Sequence, residues 1–274
     1  MKIDCIIPLA NLGDGSFEDR VINLQLLIER FILAQKEVEC NIILSEQVID
    51  RSLPTFCSRV KCDAINVIKY HPIFCKPWIF NSGIQYATGD YVVLLEAEVI
   101  QINSNYFKSV VEWLQSIKSP WCIGWNKIFY LSRKSRDLYK KLNRLEILKD
   151  PEAPHLFKQP KQGGTEGGIV FFEKEFWHNR FYGCDELYKL LGANDNEIAY
   201  RAKSITQRYL LYPLSCYHLW HPTSKLKEGE HRETNRRRFL QLVKDSNWKI
   251  VQNVLLQYKG KMGGERPLEY QYEL

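Results

Sequence analysis

The sequence predicts an α/β domain on a doubly wound, mainly parallel sheet, followed by a helical tail. Three observations carry this. Residues 91–95, Tyr-Val-Val-Leu-Leu, are an unbroken apolar, β-rich run, the mark of a strand buried on both faces. Strand-like and helix-like segments alternate from residue 3 to residue 222, which implies parallel crossovers. From residue 223 the composition turns to charged, amphipathic helix, so 1–222 is expected to be the domain and 223–274 an extension packed on it.

Taken in order, residues 3–9 read as a strand and 17–36 as a helix with Val21, Leu24, Ile28 and Phe31 on one stripe. Residues 40–44 give a second strand, ending at Ser45 and Glu46, and 65–70 a third. A helix over 76–87 turns through Thr88, Gly89 and Asp90 into the 91–95 strand. Asn103, Ser104 and Asn105 offer caps to a helix through 118 that carries Phe107, Val110, Val111 and Leu114. Residues 121–131 read as one strand, 133–148 as a basic surface helix and 149–164 as a loop. The glycines in 163–168 make a hinge candidate, because glycine tolerates the backbone changes of a closing loop. A strand over 169–172, a helix from about 191–197 to 204, and the run 209–217 into His218-Leu219-Trp220-His221-Pro222 complete the domain.

Composition bounds the function. Of 274 residues, 45% are hydrophobic and 26% charged, enough for a full core. The formal charge of +6 favours an anionic or phosphorylated ligand, but no DNA- or RNA-binding signature accompanies it, so nucleic acid is not an expected partner. Eight scattered cysteines without a C-x-x-C suit free thiols in a reducing compartment better than disulfides or zinc. The chain starts on a strand, and no run approaches the ~20 apolar residues of a membrane span. The expected location is cytoplasmic.

Glu96 and Glu98 follow the 91–95 strand directly. Two residues apart, their carboxylates leave an extended backbone on the same side and can converge on one cation. Ligands of open α/β sheets bind at the carboxyl ends of strands, where this pair lies. Asp195 stands near a helix start, where a carboxylate is either a cap or a base.

Several segments, in order along residues 3–222, resemble the motifs of inverting GT-A glycosyltransferases of the family 2 type, together with the related β-1,4-galactosyltransferase and chondroitin polymerase domains. They are Ile6-Ile7-Pro8, Lys76 with Asn81-x-Gly83, Ala87-Thr88-Gly89-Asp90-Tyr91, Glu96-x-Glu98, Gly167-Gly168-Ile169, Gly192-x-x-Asp195-x-Glu197-Ile198-x-x-Arg201, and His218 to Pro222.

The resemblance implies a GT-A fold, a nucleotide-sugar donor with UDP the expected nucleotide, a divalent cation (Mn2+ or Mg2+), and a glycan or glycolipid acceptor. Asp195 would be the general base. Glu98 and Glu96 would stand at the metal, with His218 the preferred late ligand and His221 the alternative; Glu96 could instead reach the ribose. Pro8, Glu46, Lys76, Asn81 and Glu96 would serve the donor, and Asn194, Gly167 and Gly168 the acceptor side. The chain departs from the family in having Glu-Ala-Glu for D-x-D, Asn194 for an acidic residue and Leu191 near an acceptor-stacking tryptophan. These departures keep open a rival reading as a non-catalytic nucleotide-sugar or glycan binding module. The basic, aromatic tail suggests peripheral contact with a membrane face.

Overall fold

The computed structural model describes residues 1–142, 167–190, 192–222, 230–245 and 248–270. In chain order they form β1 (Lys2–Leu9), α1 (Phe17–Leu26), β2 (Glu39–Val48), α2 (Phe56–Arg59), β3 (Ile65–Tyr70), α3 (Lys76–Ile84), β4 (Tyr91–Leu95) and β5 (Val99–Ile100). There follow α4 (Tyr106–Ser116), β6 (Trp121–Ile123), β7 (Lys127–Tyr130), α5 (Arg133–Leu142), β8 (Ile169–Glu173), α6 (Lys174–Phe176), α7 (Asn194–Thr206), β9 (Ser215–His218), α8 (Glu230–Asp245) and α9 (Trp248–Gln257).

Among the described residues the strands make a six-stranded sheet in the order β3-β2-β1-β4-β8-β6 and a three-stranded sheet β5-β9-β7. β3, β2, β1 and β4 are mutually parallel, and β8 runs antiparallel between β4 and β6. The doubly wound, mainly parallel sheet expected from the apolar runs is therefore present. β4 matches its predicted bounds, and all five of its residues are buried. The chain steps outward from β1 to β3, then crosses back to the other side of β1 to form β4. Right-handed crossovers place α3 on the face opposite α1. α3 lies so close that a Cβ on Gly83 would come within 2.6 Å of Ile6 Cγ2. On the other face, Phe31, just beyond α1, meets Phe107 of α4 with ring centroids 5.0 Å apart. The reversal of direction between β1 and β4 is a topological switch point, and it opens a crevice at the carboxyl ends of those strands.

Four elements differ from expectation for physical reasons. The 17–36 helix widens into a π-type turn at Leu27–Ile32, which keeps Leu27, Ile28, Phe31 and Ile32 all in the core. The 121–131 strand divides between the two sheets. It breaks at Gly124, where a Cβ would lie 2.9 Å from Ile169 Cγ2 and 3.0 Å from Phe171, so only glycine lets the chain cross there. Helix α5 is not purely a surface helix, because Arg136 and Tyr139 are buried. Its expected continuation to 148, the loop over 149–164 and the hinge glycines Gly163 and Gly164 lie outside the described residues.

The fourth difference corrects a site assignment. β2 continues past Ser45 to Val48, because Ser45, Glu46 and Gln47 pair with β3 and are buried. Glu46 does not open onto the crevice. Its two oxygens accept the N–H groups of Phe56 (2.7 Å) and Cys57 (2.9 Å), so its carboxylate satisfies the start of α2. Glu46→Ala is expected to cost about 1–3 kcal/mol in chemical denaturation, the price of two orphaned buried donors, with nucleotide affinity changed less than twofold. A large loss of affinity in a variant of unchanged stability would return Glu46 to the ligand.

The tail helices meet the domain through aromatic contacts, Tyr200 of α7 standing edge-on to Phe239 of α8 at 5.2 Å. The chain beyond α9 runs along α3. Trp78 Nε1 and Ser82 Oγ donate to the carbonyls of Gly264 (3.1 Å) and Gly263 (3.0 Å), and buried Glu186 accepts the N–H groups of Gly263 and Leu268, both at 2.7 Å. Among the described residues no helix is long and apolar enough to cross a membrane.

Candidate active site

Elements from both halves of the sheet converge on the switch-point crevice. β4 ends at Leu95, and Glu96 follows with its N–H donated to Gly168 O (2.9 Å), just before the neighbouring strand β8. Leu219 N donates to Glu98 O (2.7 Å), which fixes the His218–His221 segment against the acidic pair. The resulting cleft of about 310 Å³ is lined by Pro8, Ala10, Leu12, Arg20, Phe74, Lys76, Glu96, Ala97, Glu98, His218 and His221. A smaller hollow beside it is lined by Lys76, Phe80, Glu96, Gly167, Gly168, Asp195 and Ile198, among others. Lys76 and Glu96 belong to both.

Lys76 starts α3 and bridges two carboxylates. Its ammonium donates to Glu96 Oε1 and to Asp195 Oδ1, the latter at 2.8 Å. Burial alone would lower the Lys76 pKa, but Asp195 and Glu96 override it and raise it above the usual lysine range. Burial pushes the Glu96 carboxyl up, against the pull of Lys76. A Cβ on Gly167 would lie 2.8 Å from Asp195 Cγ and 3.1 Å from Glu96 Oε1, so glycine there allows the three charged groups to meet. Gly168, at φ +95°, then turns the chain into β8.

Asp195 lies in the first turn of α7. Oδ1 takes Lys76, with Asn194 Nδ2 3.4 Å away, while Oδ2 has no protein partner among the described residues. α7 is anchored from below by Arg201, which is fully buried. Its guanidinium binds Glu197, the carbonyl of Phe181 and the carbonyl of Gly183 (2.6 Å), and lies over the Phe181 ring at 3.7 Å.

Glu98 is nearly buried, and Arg20 Nη1 binds its Oε1. Burial raises the Glu98 pKa, but Arg20 with His221 and His218 outweighs it and holds the carboxyl at about 2. His221 Nδ1 sits 2.7 Å from the Pro222 carbonyl, which can only accept, so Nδ1 carries the proton. The other ring nitrogen, Nε2, lies 3.8 Å from Glu98 Oε1. His218 stacks on Tyr130 at 4.8 Å, and burial pushes it down to about 4, leaving it neutral. Both histidines line the cleft, but it is His221 rather than His218 that pairs with Glu98. The two rings are 5.3 Å apart.

This donor set suits a divalent cation. Among the described residues no three His, Cys, Asp or Glu side chains form a ready-made metal cage. Mg2+ is commonly held by one or two carboxylates with substrate phosphates completing its shell, so a full protein cage is not required. A carboxylate oxygen and an imidazole nitrogen facing each other across 3.8 Å are oxygen and nitrogen donors that one divalent cation could share. The hydrogen bond from His221 Nδ1 to a backbone carbonyl is the outer partner typical of ligating histidines.

Of the other predicted site residues, Pro8 lines the cleft and Asn194 is buried beside Asp195. Asn81 does not reach the donor side. Its amide bonds Cys184 N and O (2.8 and 2.9 Å) and Glu186 Oε1 (2.9 Å), locking α3 to the 184–186 segment. Leu191 lies outside the described residues. Sequence reasoning missed Arg20 and Phe74 in the cleft, and Arg136, which donates to both Asp19 Oδ1 (2.8 Å) and Trp220 O (3.1 Å). A signal for Arg20 existed, since a cation near a helix N-terminus opposes the helix dipole and calls for a local reason.

The fold and site thus define a mainly parallel α/β domain with a paired-carboxylate cleft at its switch point. No protein-family model matches the chain, and no curated protein matches it. Solved structures resemble it in outline. One is a mannosyltransferase from Pyrobaculum calidifontis in complex with GDP-Man and Mn2+, at 17% identity over 79% of this chain and 56% of that one, with a TM-score of 0.46. Another is a Drosophila β-1,4-galactosyltransferase 7 mutant in complex with manganese, UDP-Gal and xylobiose, at 14% identity over 78% of this chain and 64% of that one, TM-score 0.42. The catalytic domain of Drosophila β-1,4-galactosyltransferase 7 in complex with xylobiose gives 14% identity, 86% and 80% coverage and a TM-score of 0.44. The chain thus spans little more than half of the mannosyltransferase.

Proposed function

We propose that this chain is a glycosyltransferase that moves a sugar from a nucleotide sugar to a hydroxyl of a glycan or glycolipid, with inversion at the anomeric carbon. The observation that carries this reading is the pairing of two adjoining hollows through Lys76 and Glu96. One holds Glu98, Arg20 and the imidazoles, and the other holds Asp195 with a free Oδ2. A nucleoside diphosphate fits the first by charge, and an acceptor hydroxyl beside Asp195 fits the second. The sugar then lies between leaving group and base, so attack comes from the face opposite the nucleotide.

Asp195 Oδ2 takes the proton of the attacking hydroxyl while Lys76 holds Oδ1 in place. Glu98 and His221 hold a divalent cation, with His218 alongside. Mn2+ or Mg2+ there supplies positive charge against the departing diphosphate. The Glu46 and Asn81 geometry leaves the nucleotide to Pro8, Leu12, Arg20 and Phe74 at the donor end.

Calorimetric titration with UDP and GDP, with and without Mn2+, tests the reading. One of the two nucleotides is expected to bind at least tenfold more tightly with Mn2+, and Glu98→Ala to abolish that gain. Binding of neither nucleotide under either condition would overturn it. Metal-independent binding, unchanged in Glu98→Ala, would remove the cation from Glu98.

A further inference from the structure

Arg20 stands in the cleft in a way that structural support alone does not explain. Its Nε donates to Ser16 Oγ at 3.0 Å, and Ser16 is itself held by Asp14. Its Nη1 binds Glu98 Oε1. Its second terminal nitrogen has no protein partner among the described residues, and 23% of the side chain faces solvent at the cleft. A guanidinium aimed by one bond, paired by a second and open at the third is built to exchange partners, since its planar fork fits phosphate as well as carboxylate.

The charges around the cleft give such an exchange a use. Arg20 and Lys76 stand against three carboxylates, Glu96, Glu98 and Asp195, so an entering diphosphate meets a site with no surplus positive charge. A divalent cation at Glu98 also competes with Arg20 for the same carboxylate oxygen. We propose that Arg20 is a ligand of the donor's diphosphate: with a divalent cation held at Glu98, the guanidinium would be released from that carboxylate and would donate from its terminal nitrogens to a phosphate oxygen. Arg20 is thus the counter-ion of Glu98 before the donor enters and a phosphate ligand once it is bound. This rests on the reading of the cleft as a nucleoside-diphosphate site.

The two roles give opposite signs in one variant. In Arg20→Gln, Mn2+ alone, followed by its electron paramagnetic resonance signal, is expected to bind about fivefold more tightly, because Glu98 has lost its competing cation. UDP or GDP in saturating Mn2+ is expected to bind about tenfold to a hundredfold more weakly, because a charge-assisted bond is lost. Arg20→Lys should retain part of the nucleotide affinity while losing the bidentate fork. If metal and nucleotide affinities both fall, Arg20 only places Glu98, and the inference fails. It fails equally if wild type binds a nucleotide and neither variant changes that affinity. Wild type that binds no nucleotide sinks the functional reading itself, a different result from either. Should Arg20→Gln melt well below wild type, Arg20→Lys carries the nucleotide half of the comparison, and unchanged nucleotide affinity in it overturns the inference.

Discussion

Asp195→Asn is expected to lower turnover of the nucleotide sugar by about 10²–10⁴-fold, the usual contribution of a general base, while nucleotide affinity stays within about twofold. Asparagine keeps the size of the side chain and can still accept from Lys76 through its carbonyl oxygen, but it cannot take a proton. Release of UDP or GDP from a panel of nucleotide sugars, with candidate glycans present, measures it. The prediction separates catalysis from binding. A module that only binds nucleotide sugars would show no turnover in wild type and no difference in the variant, and a purely capping Asp195 would show a stability loss with turnover intact.

Arg201→Met is expected to destabilise the chain by about 3–5 kcal/mol, because it leaves the Glu197 carboxylate and two carbonyls buried without their partner. Denaturant titration measures this, and its pH dependence identifies the cause. Burial pushes Glu197 up to about 7 even though Arg201 pulls it down. The folded chain therefore holds this proton more tightly than the unfolded chain, whose value is near the ordinary ~4.3. Stability contributed by Glu197 falls as pH rises from about 4.3 toward 7. Without Arg201 that fall extends to higher pH, so the gap between variant and wild type should widen from pH 5 to pH 8. A gap independent of pH would mean that lost packing on Phe181, not the stranded carboxylate, carries the cost. Because Arg201 ties α7 to the 181–183 turn, the same variant should also misplace Asp195 at temperatures where it remains folded.

Much of this was legible in the chain. The apolar run at residues 91–95 sets β4, and Phe107, Val110, Val111 and Leu114 set the buried face of α4, both as read. Glu96, Glu98, Lys76 and Asp195 were each picked out, and the structure brings them together. Glu46 was misread because the apolar run before it ends two residues earlier, at Leu44. A buried carboxylate serving a helix start ten residues on looks, in sequence, like a strand end facing solvent. Asn81 was misread for the same reason, its partners at Cys184 and Glu186 being more than a hundred positions away.

What the sequence determined by itself is whatever a short window encodes. That covers the periodicity of helices and strands and the glycines where the chain must pass close to a neighbour, but not the route of Glu96 and Glu98, which reach one cleft through a turn closed by Val99 N–H donating to Glu96 O (3.1 Å) rather than along the extended backbone expected. What only the tertiary structure decided is which partner each charged group takes. Arg20 and Glu98 are 78 residues apart and Lys76 and Asp195 are 119 apart. The choice of His221 over His218 beside Glu98 follows from how β5 and β9 pair and from one hydrogen bond to Pro222. Charges act through space, falling off with distance and with the dielectric between them, and distance in space is set by the fold rather than by position along the chain.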